Sequence, residues 1–190
     1  MFAQNFIYNI LRLIIDNGFK KQKRFIKDKF MTKEFPGARI LDLGCGTGSY
    51  ANLFNAGDYC GLEIDKSYIR YAKKYKKRNF VLGDAGYLPF KDEVFGGVCV
   101  IAVFHHLPVS GILGILKEIK RVIMPKGLFL MIDQSDIKVN LFLDWFFELI
   151  RYFDKGKFIR LPKENLEILS SEPAFKIIDN CTFRNGLITY

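Results

Sequence analysis

The residues best suited to chemistry stand between positions 40 and 65. Ile40-Leu41-Asp42-Leu43 runs from an apolar strand into Gly44-Cys45-Gly46-Thr47-Gly48, three glycines at alternate positions. Glycine has no Cβ, so it can take φ > 0 and let a ligand approach the backbone closely. Ser49-Tyr50-Ala51-Asn52-Leu53-Phe54 reads as the helix that leaves this turn. Strand, glycine turn and helix in that order form a nucleotide-type cofactor site in an open α/β sheet. The dinucleotide fingerprint G-x-G-x-x-G/A is imperfectly met, because its third small position falls on Ser49. A carboxylate, Asp42, also stands two positions before the first glycine. It would repel a pyrophosphate and attract a cationic ligand.

Further carboxylates follow at telling intervals. Glu63 ends a second apolar run, Asp58–Ile64, and lies 21 residues after Asp42. These folds place a ribose-binding acid about 20 residues on, and a carboxylate can accept from both ribose hydroxyls. Asp65 reads better as the N-cap of the next helix. Gly83-Asp84-Ala85-Gly86-Tyr87-Leu88-Pro89-Phe90 follows a third short strand, and Asp84 taken alone is a turn residue. His105 and His106 stand just past a fourth apolar run, where such sheets bind ligands. Either could touch a cofactor or an acceptor, and either could be structural. Asp133 is a third candidate base at that edge.

These residues need a framework that alternates strand and helix. Strands are expected at about 38–43, 58–64, 79–82, 97–102 and 128–133, with helices at about 66–77 and 113–123. Short apolar runs such as Gly-Val-Cys-Val-Ile-Ala suit the middle of a parallel sheet. Residues 175–179 and 183–190, the second carrying Asn185-Gly186, read as a closing antiparallel pair. Before the sheet, Phe2, Phe6, Ile7, Ile10, Leu11 and Ile14 form a helical stripe, and Lys20-Lys21-Gln22-Lys23-Arg24 opens a basic helix to about Met31. The pair is expected to pack beside the sheet, and the basic run could also serve as a lid or docking surface. Residues 141–150 hold eight apolar residues in ten, readable as a lid over an apolar acceptor or as a core helix; Pro162–Ser170 reads as the final helix.

Taken together, Asp-x-Gly-x-Gly-x-Gly, Gly-Leu-Glu-Ile-Asp, Gly-Asp-Ala…Leu-Pro-Phe and the His-His-Leu segment resemble the class I S-adenosylmethionine (SAM) methyltransferases, in particular the type 11 group. The likeness covers residues 38–133 well and 174–190 plausibly. It implies a three-layer, Rossmann-like α/β fold with a mostly parallel seven-stranded sheet of order 3-2-1-4-5-7-6, strand seven antiparallel. It also implies SAM as cofactor and S-adenosylhomocysteine as product. The cofactor-binding residues it implies are Asp42, Gly44, Cys45, Gly46, Gly48, Glu63, Ile64, Asp84, Ala85, Ile101 and His106. Asp42 would lie near the ammonium of SAM, Asp84 would accept from the adenine amino group, and the Ala85 N–H would bond a ring nitrogen. His106 and His105 are the catalytic candidates. In 118–127, Lys126 replaces a glycine common in the family pattern.

Length and composition agree with one globular domain over 1–190, with 1–35 as an N-terminal helical cap and 134–173 as a variable acceptor-side insert. Cys45, Cys60, Cys99 and Cys181 form no C-x-x-C pair, and the two histidines are neighbours, so no metal site is expected and the thiols read as reduced, in a cytoplasmic protein. No signal peptide and no apolar run of about 18 residues is seen. The net charge of +9 suits an anionic partner such as RNA or a membrane surface, or it reflects a lysine-rich background. The leading expectation is methyl transfer to a small-molecule or lipid-like acceptor. The alternatives are a tRNA or RNA methyltransferase, which residues 101–107 resemble in the wobble-uridine carboxymethyl enzymes, and a non-catalytic or partner-dependent SAM-binding module. No aromatic-basic stacking motif is visible in the sequence.

Overall fold

A computed structural model describes residues 20–31, 38–134, 175–176, 181–182 and 187–189. The apolar stripe at 2–15, the 141–150 segment and the helix expected at 162–170 lie outside them. The chain runs α1 (Lys20–Phe30), β1 (Ile40–Leu43), β2 (Tyr59–Glu63), α2 (Lys66–Tyr75), β3 (Asn79–Leu82), β4 (Phe95–Ile101), α3 (Val109–Val122), β5 (Ile123–Gln134), β6 (Cys181–Thr182) and β7 (Leu187–Thr189). Short 3-10 helices stand at Ala51–Leu53 and Phe104–His106. The sheet order is β3-β2-β1-β4-β5-β7-β6. β1 to β5 are mutually parallel, and β7 runs antiparallel to both β5 and β6. β1 lies between β2 and β4, so the loop after it opens where the winding direction reverses. In open α/β sheets that crevice is the ligand site.

Alternation along the central strands divides the core between two faces. Leu41, Leu43, Cys60, Leu62, Val98, Val100 and Met131 point to one face, where α3 lays down Ile112, Ile115, Leu116, Ile119 and Val122 at helical spacing. Ile40, Tyr59, Cys99, Ile101, Leu130 and Ile132 point to the other, covered by Ile26 and Phe30 of α1 and Ile69 and Ala72 of α2. Each such side chain fully buried stabilises the fold by about 1.5–3 kcal/mol before entropy is charged against it. α1 can come close because β4 carries glycine beneath it. A Cβ on Gly97 would stand 2.4 Å from Cε1 of Phe30.

Two local expectations are corrected. The helix expected from Ser49 is only the 3-10 turn Ala51–Leu53. Ten residues separate Gly48 from Tyr59, too few to build several helical turns and still return the chain to start a parallel strand. β5 begins at Ile123, so Pro125-Lys126-Gly127 is an irregularity within it rather than a turn before it: Phe95 pairs with Ile123, but Gly97 already pairs with Leu128. Lys126 takes φ +64 there, the left-handed conformation glycine accepts most readily. Of the closing pair expected at 175–179 and 183–190, residues 177–179 lie outside the described residues, and Cys181 and Thr182 face Thr189 and Ile188 across the antiparallel pair. No described helix is long and apolar enough to cross a membrane.

Candidate cofactor and transfer site

The glycine loop is built from three residues in left-handed conformation, with φ +69 at Gly44, +53 at Gly46 and +74 at Gly48. They do different work. A Cβ on Gly44 would lie 2.4 Å from Cγ2 of Val103, and one on Gly48 would lie 2.9 Å from Cζ of Phe80. Those two glycines let the loop pack on its neighbours. A Cβ on Gly46 would meet nothing within 4 Å, so that glycine keeps an open approach to the backbone. The N–H groups of Gly44 and Cys45 both donate to the Leu62 carbonyl, at 2.8 and 3.1 Å, which ties the loop to the end of β2.

Glu63 closes this tie. One oxygen, Oε2, accepts from the Gly46 N–H at 2.9 Å, and Oε1 accepts from the Asp65 N–H at 2.8 Å. A single buried carboxylate thus bridges the loops after β1 and β2. Asp65 caps α2 as expected, accepting from the Ser67 N–H at 2.6 Å and the Tyr68 N–H at 3.2 Å. Between them Ile64 holds its side chain 68% exposed, an apolar group at the mouth of the crevice.

Asp42 is placed differently from its neighbours. It is 1% exposed and sits within the sheet's core face. The Tyr59 hydroxyl donates to Oδ2 at 2.7 Å, and Cys99 Sγ lies 3.6 Å from Oδ1. Burial lifts this carboxyl from the usual 3.8 to about 6, against the opposing effect of the Tyr59 and Cys99 bonds. Burial, with Asp42 close by, likewise drives the Tyr59 phenol and the Cys45 and Cys99 thiols far upward, so all three stay neutral. Cys45 therefore enters the site through its backbone and not as a thiolate. Tyr59 escaped sequence reasoning, because only strand register brings position 59 against position 42.

Asp84 is exposed on the loop after β3, where its side chain accepts from the Gly86 N–H at 2.8 Å and forms the turn. Ala85 packs against the α3-side core, and Tyr87 stands 84% exposed. α3 secures this loop from below. Glu118 accepts from the Leu88 N–H at 2.7 Å, while Arg121 donates to the carbonyls of Leu88 and Phe90 at 3.0 and 2.8 Å. The Arg121 side-chain bond is the main reason the Glu118 carboxyl is held below its ordinary range.

At the end of β4, Ile101 is buried and Ala102 takes φ +56, an uncommon conformation for a residue with a Cβ. Val103 follows, and its methyl occupies the space that glycine leaves at position 44. The chain then turns through Phe104–His106, braced by Asp133 of β5. One Asp133 oxygen accepts from the N–H groups of Phe104 and His105 at 2.8 and 3.3 Å, and the other lies 2.5 Å from His105 Nδ1. His105 and Asp133 are both buried. The His106 ring lies 3.9 Å from the His105 ring between centroids and is half-buried. Of the three candidate bases, His106 alone reaches the surface.

Gly44–Gly48, Glu63, Ile64, Asp84, Ala85, Ile101 and His106 therefore gather at the carboxyl ends of β1 to β4. Asp42, His105 and Asp133 support that edge from inside the core. Ala102 and Val103 complete it and carry no sequence signal, being small apolar residues at a strand end. Among the described residues no cluster of His, Cys, Asp and Glu suits a metal ion.

Known proteins share parts of this sequence and its fold. A family model described as a methyltransferase domain matches residues 41–131. A fatty-acid O-methyltransferase of Mycolicibacterium smegmatis is 36% identical over 104 residues, 51% of this chain and 37% of that protein. A Homo sapiens protein described as a probable tRNA methyltransferase 9B is 32% identical over 105 residues, 52% of this chain and 22% of its own length. The match thus spans well under half of either relative. The crystal structure of a Pyrococcus horikoshii protein superposes with a TM-score of 0.64 at 23% identity, covering 80% of this chain and 79% of the other. With its strand order and glycine loop, the chain carries through residues 41–131 the stretch that matches the methyltransferase domain model, on a fold similar to that of the Pyrococcus horikoshii protein.

Proposed function

We propose that this chain binds SAM at the carboxyl edge of β1 to β4 and directs its methyl group to a small-molecule or lipid-like acceptor. The observation that carries the reading is the Gly46–Glu63 arrangement: an open backbone approach beside a carboxylate already turned toward the loop. In this reading the backbone of Gly44–Gly48 takes the amino-acid end. Glu63 takes the ribose hydroxyls, and Ile64 offers apolar surface to the adenine, while the buried Ile101 backs the site from the core. Asp84 accepts from its amino group and the Ala85 N–H bonds a ring nitrogen. Asp42, enclosed by Tyr59 and Cys99, acts on the ligand's cationic end only through its charge or through the loop it supports.

Bound SAM supplies a methyl group already activated on sulfur. The chain's own task is then to hold an acceptor in line and to exclude water. A base is needed only where the acceptor must lose a proton. His106 is best placed for that role, with His105 and Asp133 keeping its turn in position. We assign 134–173 to the acceptor side and 1–35 to a cap. The fatty-acid methyltransferase similarity supports an apolar acceptor. The similarity to a protein described as a tRNA methyltransferase, with the +9 charge, supports RNA as the second reading.

The test combines purified protein, methyl-labelled SAM and cell extract separated into lipid, small-molecule, protein and RNA fractions. Label is expected in the lipid or small-molecule fraction, at a level that Glu63→Ala lowers about tenfold or more. Label confined to RNA selects the second reading. S-adenosylhomocysteine binding by calorimetry without label anywhere indicates a binding module, and absence of that binding overturns the cofactor assignment.

A further inference from the structure

The positive charge of this chain is concentrated in one layer. Residues 20–30 contain six Lys or Arg and residues 66–78 contain seven, with Asp28 the only acid in either stretch. The whole chain has 29 Lys and Arg against 20 Asp and Glu, which leaves 16 against 19 outside these two stretches. The net charge of +9 is therefore a property of α1, α2 and the three residues after α2. A uniform lysine-rich background would not leave the remainder net acidic.

The fold lays both helices on the same face. Ile26 and Phe30 of α1 share a core cluster with Ile69 and Ala72 of α2. Their charged sides point outward together: Lys20, Arg24 and Lys27 on one helix, Lys73 and Lys74 on the other, and Lys77 just after it, are all exposed. Where the helices adjoin, burial and then the nearby Lys76 hold the Lys23 ammonium below the usual lysine range. Asp28 offsets little of this, since its contact with Arg24 is a 3.8 Å surface pair. Arg78 is otherwise engaged, donating to the carbonyls of Ala51 and Phe54.

We infer that the α1–α2 face is a docking surface for the phosphodiester backbone of RNA. A polyanion needs closely spaced cations on one face, and it gains affinity by releasing its own counterions. The face also offers an aromatic platform. Tyr75 is 53% exposed, its ring lies 4.6 Å from that of Tyr71, and Lys74 Nζ stands 5.2 Å from the Tyr75 centroid. Unpaired bases stack on such rings between cations. An anionic bilayer is the poorer match. Helices lying on a membrane insert an apolar stripe, and the apolar sides of α1 and α2 are both used by the core. The face adjoins the cofactor loop, since Lys76 Cγ is 3.3 Å from where a Cβ on Gly48 would be. This partner assignment is independent of which molecule accepts the methyl group.

Fluorescence anisotropy of the full chain with a labelled mixed-sequence RNA of about 20 nucleotides tests it, between about 50 and 200 mM NaCl. Lys73→Gln/Lys77→Gln is compared with the charge-matched Lys117→Gln/Lys120→Gln on α3. The first pair should weaken binding about tenfold and flatten the salt dependence, at about 0.7 per lost phosphate contact in the log–log slope. The second should change Kd less than about twofold. Equal losses in both variants, salt-independent binding, or binding to phosphatidylserine vesicles with none to RNA would each overturn the inference. S-adenosylhomocysteine calorimetry on the same samples reports the fold and cofactor site separately. If the wild type fails there while the RNA pattern holds, the cofactor reading falls and this one stands.

Discussion

Two carboxylates near the glycine loop are both buried, and they differ in what holds them. Glu63 ends β2 and satisfies two loop N–H groups. Asp42 lies two residues before Gly44, but the pleat turns it into the core, against Tyr59 and Cys99. Burial raises its pKa to about 6, so the folded chain holds this proton more tightly than the unfolded chain does. By linkage, the group's contribution to stability is complete below about pH 4, declines as pH rises, and is gone above about pH 6. Urea denaturation of the wild type and Asp42→Asn should therefore give a stability difference that moves against the wild type by on the order of 3 kcal/mol over that window. A difference that stays level from about pH 4 to 6.5 would mean that water reaches Asp42 in solution. The acidic residue and its interval to the glycines were legible in the sequence. Its confinement was not, because burial depends on Tyr59 and Cys99 from two other strands.

At the scale of elements, helix α1 is seated by what β4 lacks. Phe30 occupies the space over Gly97, with Ile40 Cδ1 also within 2.8 Å of the position a Cβ would take. Gly97→Ala should cost about 1–3 kcal/mol by overpacking, measured as a shift in urea midpoint. Combining it with Phe30→Leu should recover part of that loss, giving a coupling energy of about 0.5 kcal/mol or more. Additive losses would show that α1 does not rest on Gly97 in solution. The basic helix was readable from its run of lysines and arginine, and the five parallel strands from their apolar runs. The 3-10 turn at Ala51–Leu53 and the irregularity at Pro125–Gly127 were not, since both arise from chain lengths that must match a neighbouring strand.

Across the whole molecule, charge and chemistry occupy different surfaces. The cofactor edge is formed by strand ends and loops, while the cationic layer covers one flank of the sheet. Like charges crowded on α1 and α2 repel, and dissolved salt screens them, with a Debye length of about 10 Å at 0.1 M. The thermal midpoint should therefore rise by a few degrees between about 20 and 300 mM NaCl, as read by differential scanning fluorimetry. A fall would mean that surface ion pairs such as Arg121–Asp92 contribute more than the repulsion of the basic layer removes.

The sequence by itself determined the alternation of strands and helices, the glycine loop, the candidate acids at 63 and 84, and the family that these residues resemble. Those features are local: each depends on side-chain type and on spacing within a few turns of chain. Only the tertiary structure decided which of them face the crevice. It enclosed Asp42, locked His105 against Asp133, left His106 at the edge, and brought two distant basic segments onto one face. The physical reason is that burial and like-charge proximity are set by register between strands and packing between helices, which no interval along a single stretch of chain contains.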